Sequence, residues 1–169
     1  ADITGGLSAN ATTTKNVDES SYGDPDNSFA AYSVTWDPNV NTDETYTTQA
    51  QIRLTLDDGQ AANSSTTTTS AQFTLDTKAP TLGATAILVK ATTTPATIAL
   101  SATDDSTLNM KVGLATDLSD VGGYITYTAA TTTTLATDPD TVYAQFQDAF
   151  GNATAIQSTT TPETPANMM

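Results

Sequence analysis

AQIRLTLDDGQAA, residues 50–62, and AQFQDAFGNAT, residues 144–154, are two versions of one phrase. Each is an alternating apolar–polar run that ends in Asp, turns at a Gly and continues through an amide side chain. The first copy is followed by AQFTLDTKAPTL (71–82), a strand pattern that ends at Asp76 and a Lys-Ala-Pro joint near mid-chain. A repeated closing element with a proline joint between its copies predicts two tandem β-domains rather than one enzyme-sized unit.

Working outward from the first copy, residues 46–56 carry the cleanest alternation. Tyr46, Thr48, Ala50, Ile52, Leu54 and Leu56 share one side; Thr47, Gln49, Gln51, Arg53 and Thr55 share the other. A period of two predicts a half-buried strand. Residues 29–36 offer a partner with Tyr32, Val34 and Trp36 inward, and Ala71, Phe73 and Leu75 a third strand. Residues 2–9 read as a weaker edge strand, softened by Gly5 and Gly6. DESSYGDPDNS (18–28) between them reads as a long polar loop.

Around the second copy the same period recurs. Ile87 and Val89 open one strand, which Lys90 closes; Ile98, Leu100 and Ala102 mark the next, then Leu108, Met110, Val112 and Leu114. Ile125 and Tyr127 follow Gly122 and Gly123, then Val142, Ala144 and Phe146, with Ala155 or Ile156 in the last strand. No segment has a helical stripe. The expected fold is all-β: two tandem Greek-key sandwiches over residues 1–77 and 78–158, then a Thr/Pro-rich tail at 159–169.

Composition narrows function. The chain has 169 residues, no His and no Cys, so His-based triads, Cys nucleophiles and His/Cys metal sites are excluded. Its lysines sit in no recognisable motif with a Ser, and Glu occurs only at Glu19, Glu44 and Glu163; the expectation is a protein that is not an enzyme. Nineteen acids against five bases give a net charge of −14. Nucleic acid needs a basic footprint that one arginine, Arg53, does not supply, and anionic membrane surfaces are disfavoured by the same field. No apolar run is long enough for membrane insertion. The Ala1 start fits a mature secreted product, as it would a trimmed chain. Thr-rich runs read as solvent-facing strand positions or surface linkers. Three N-x-S/T triplets, at Asn10, Asn63 and Asn152, are the formal sites for glycans.

SATDDSTLNMKVG (101–113), then TVYAQFQDAFGNA (141–153), with FTLDTKAPTL (73–82) between the halves, resembles the tandem immunoglobulin-like domains of large bacterial and archaeal surface proteins. The likeness covers residues 46–156 and fades over 1–45. It implies a secreted or cell-surface structural or adhesive role: a filament subunit, surface-layer part, adhesin arm or stalk repeat, with copies of itself or other surface subunits as partners. It also implies calcium at the domain joint.

The residues at issue there are acidic. Asp104 and Asp105 fall in the loop after the second strand of the second half, Asp148 and Asn152 in the loop before its last strand, and Asp76 in the entering chain, with Asp43 a further candidate. Carboxylates gathered in a partly dry setting repel unless a cation joins them, and calcium takes six to eight oxygens, Asn and backbone carbonyls included. The competing reading is that Asp148 and Asp57 cap their own turns. The N-terminal segment 2–14 reads as a strand that could be donated to a neighbour's open sheet. The rival from another class is a carbohydrate-binding accessory module, which exposed coplanar aromatics would favour; Tyr124 and Tyr127 have opposite parity, and Trp36 reads as core.

Overall fold

A computed structural model describes residues 36–40, 42, 44–56, 66–89, 95–135 and 140–160. These are all-β apart from one short 3-10 turn at Pro38–Val40. The chain divides into two compact units, Ala1–Thr77 and Lys78–Met169. The expected strands at 2–9 and most of 29–36, the loop at 18–28, the 57–60 turn and Lys90 lie outside the described residues. Trp36 is half-buried rather than sealed in a core.

In the first unit, β1 (Tyr46–Ala50) pairs with β4 (Phe73–Asp76), and β2 (Arg53–Leu56) pairs with β3 (Thr66–Thr69), all antiparallel. The expected single strand 46–56 is therefore broken. Opposite Tyr46–Thr47 and Arg53–Leu56 the register is one continuous hairpin, but it slips between Thr47 and Ala50. At the break Ile52 N donates to the Ser70 hydroxyl, while Ile52 O accepts Ser70 N. The expected inward face does not hold either: Ile52 and Leu54 are 45% and 51% exposed. The Thr run at 66–69, read as solvent-facing strand or linker, is a strand, because β-branched residues suit a pleated ladder even with every side chain in solvent.

Among the described residues the second unit has seven strands: β5 (Thr81–Val89), β6 (Ala96–Thr103), β7 (Asn109–Gly113), β8 (Ile125–Thr126), β9 (Ala130–Thr133), β10 (Thr141–Gln147) and β11 (Gln157–Thr160). They form two sheets, ordered β5-β6-β9 and β11-β10-β7-β8, and β11 also runs alongside β5. Alternation decides what lies between the sheets. Ala96, Ile98, Leu100 and Ala102 of β6, Ile87 of β5, Met110 of β7 and Val142, Ala144 and Phe146 of β10 form one buried apolar cluster. Each large side chain sealed in this way contributes about 1.5–3 kcal/mol. Tyr127, just after β8, stitches the layers: its hydroxyl donates to Leu100 O at 3.0 Å and its ring meets Phe146 edge-on, centroids 5.9 Å apart.

Two expectations need correcting here. Ile125 faces solvent, 59% exposed. β9 has no apolar pattern to mark it, and its register is carried by Thr131, Thr132 and Thr133 against β6. β11 contains Thr159 and Thr160, assigned to the tail, while Ala155 and Ile156 precede it and are exposed. Strands of this kind have no apolar signature, since their neighbours supply the core.

β5 is irregular for a steric reason. Its pairing with β6 slips between Leu82–Ala102 and Ile87–Leu100, so residues 83–86 lie opposite Ser101 alone. A Cβ on Gly83 would stand 2.0 Å from the Ser101 hydroxyl, so only glycine allows this approach.

Candidate metal centre

The two inward rows that build the core continue one step beyond it. On β6 the row Ile98, Leu100, Ala102 leads to Asp104; on β10 the row Val142, Ala144, Phe146 leads to Asp148. Asp148 is 2% exposed and Asp104 half-buried. Asp76, the last residue of β4 and two before Lys78, is 8% exposed. One carboxylate oxygen from each of Asp76, Asp104 and Asp148 lies within 4.8 Å of the other two.

Each loop carboxylate is held by its own turn. Asp104 Oδ1 accepts Ser106 N at 2.8 Å and the Ser106 hydroxyl at 2.7 Å. Asp148 Oδ1 accepts Phe150 N and Asn152 N, both at 2.8 Å, and its Oδ2 accepts Asn152 Nδ2 at 2.6 Å. Asp148 N donates back to Asn152 O, and Gly151 supplies the left-handed φ of +96° that closes the turn. The turn-capping reading of Asp148 is thus correct as far as it goes, and it coexists with the gathering of carboxylates.

The remaining candidates fall elsewhere. Asp105 has the opposite parity to Asp104 and turns outward, pairing with Lys78 Nζ at 3.1 Å in an exposed salt bridge. Such a pair contributes at most about 1 kcal/mol. Asn152 aims its amide nitrogen at Asp148, positioning that carboxylate. Asp43 lies outside the described residues. Sequence reasoning missed Ser106, whose hydroxyl also accepts Ala149 N at 3.3 Å and so ties the β6–β7 loop to the β10–β11 turn. The Asp-x-Ser spacing at 104–106, which favours a side-chain-capped turn, was the available signal.

Chemically, the cluster is all oxygen. At an effective dielectric of about 20, two like charges at this spacing repel by roughly 3 kcal/mol. Hydrogen bonds from Ser106, Phe150 and Asn152 offset part of that cost. A hard divalent cation would offset more, and an oxygen-only donor set suits calcium or magnesium rather than a softer metal.

The expected aromatic pair divides as parity requires. Tyr127 turns into the core, whereas Tyr124 lies half-buried on the outside, its hydroxyl donating to Gln145 Oε1 at 2.7 Å and its ring covered by Lys111 Nζ, 4.9 Å from the centroid. Burial pushes the Tyr124 phenol above its ordinary pKa. One face of the Tyr124 ring is thus taken by Lys111. No family model, curated protein or solved structure matches this chain.

Proposed function

We propose that the chain is a non-enzymatic structural protein of the cell surface, a self-assembling subunit of a filament or surface layer. Its units are read as immunoglobulin-like sandwiches, and calcium is read as the ion held by Asp76, Asp104 and Asp148. The observation that carries the reading is the meeting of these three carboxylates, two of them buried, at the end of a β-sandwich. The strand order supports the immunoglobulin-like part: β5-β6-β9 faces β11-β10-β7-β8, and the chain crosses between sheets after β6, β8 and β9. Self-assembly rests on the resemblance and on a residue set without a nucleophile–base pair. Donation of the 2–14 strand to a neighbour belongs to this reading as its most exposed claim.

In this reading the cation draws the segment entering at Asp76 to the β6–β7 and β10–β11 loops. Binding to the folded state alone stabilises by mass action, about 2.7 kcal/mol at a hundredfold excess over Kd, or on the order of 10 °C in Tm. Thermal unfolding in calcium and in chelator tests it. Asp104→Ala and Asp148→Ala should each remove most of the rise, and superimposable curves for the unaltered chain would eliminate the calcium site.

A further inference from the structure

All carboxylates described in the second unit fall outside its strands: Asp104, Asp105, Asp117, Asp120, Asp140 and Asp148 occupy loops and strand ends. The three-stranded sheet goes further, since β5, β6 and β9 contain no ionisable side chain at all. Register fixes its outward face. Leu88, Ala99 and Ala130 form one row across the three strands, Thr97 and Thr132 the next, with Ser101 beyond. Leu88 is 48% exposed on it.

We propose that this face is the contact between copies of the chain. The inference rests on the self-assembly reading above and names its surface. Two copies each carrying −14 repel one another, and a contact that buries carboxylates adds desolvation to that repulsion. Like-charged copies therefore meet at least cost where no charge lies. The outward face of the other sheet carries Lys111, already held over Tyr124. A foreign partner is under no such constraint, since it could bring basic groups to the acidic loops; an uncharged sheet face answers the problem that identical copies pose. A twofold contact sets the same patch on both sides, and flat sheet faces pack together about 10 Å apart.

Sedimentation of the full chain at low and high ionic strength gives the test. The association should strengthen with salt, as repulsion between the acidic loops is screened. Leu88→Glu and Leu88→Lys should both weaken it about tenfold or more, because either places like charges opposite each other across the twofold. Their opposite effects on net charge separate a local contact from a general charge effect. Ser158→Glu, exposed on the other sheet opposite Tyr143, should match the unaltered chain in charged-face behaviour and leave association unchanged. Circular dichroism verifies that each variant is folded. A chain that is monomeric at both ionic strengths overturns the self-assembly reading and this face together. Association indifferent to both Leu88 variants, or strengthened by Leu88→Lys, overturns the face alone.

Discussion

Ile52 and Phe146 hold the same place, third, in the two copies of the repeated phrase, yet Phe146 is fully buried and Ile52 is 45% exposed. Their local sequences give both the same strand alternation. The difference is what stands opposite. Phe146 belongs to β10, flanked by β7 and β11, and faces a second sheet that supplies Ile98 and Leu100. Ile52 sits at the break between β1 and β2, in a hairpin whose pairing is with β3 and β4 only among the described residues. Every buried apolar side chain among the described residues belongs to the second unit. Alternation specifies that a strand has two faces; a second layer decides whether either is sealed.

The largest test of that contrast is truncation. Phe146→Ala should cost about 3–5 kcal/mol in denaturant unfolding, while Ile52→Ala costs below about 1 kcal/mol. Equal losses would mean that the hairpin is packed as tightly as the sandwich. A middle-sized effect belongs to β5. Gly83→Ala should destabilise by about 1–3 kcal/mol, and Ser101→Gly in the same chain should recover part of it, a coupling read from a double-mutant cycle. Strict additivity would mean that the two residues do not crowd one another.

The smallest effect lies in the β7–β8 loop. Asp117 is held below the usual carboxylate range by the Ser119 hydroxyl and N–H, and Asp120 chiefly by the N–H of Leu114. A depressed folded-state pKa contributes stability above the ordinary carboxylate range, which is lost as pH falls through the depressed value. NMR titration should therefore show the Leu114 and Ser119 amides responding below about pH 4. Midpoints at or above that value would remove both hydrogen bonds from the account.

What the sequence reveals follows the same division. Strands β6 and β10 can be read directly because their inward rows are unbroken from Ile98 to Ala102 and from Val142 to Phe146. Strands β3, β9 and β11 cannot, since Thr, Ser and Gln ladders look like linkers until a partner strand is known. The site was legible to the same depth. Asp104 and Asp148 extend legible rows, and parity alone separates inward Asp104 from outward Asp105. The pairing of Asp105 with Lys78 joins positions with no local relation, so it needed the fold. The approach of Asp76 needed the fold as well.

The turn at 148–152 has one more consequence. Asn152-Ala153-Thr154 reads as an acceptor for N-linked sugar, a reaction that needs a free amide nitrogen and an accessible hydroxyl two residues on. Here that nitrogen is spent on Asp148 Oδ2, while Thr154 is 8% exposed and its hydroxyl accepts Phe146 N at 3.2 Å. Folding therefore closes the acceptor. A sugar attached before folding would replace one of the two hydrogens on that amide nitrogen, leaving a single N–H to reach Asp148 Oδ2. The order of two events, closure of the 148–152 turn and arrival of a sugar, would therefore decide whether Asn152 can be modified at all.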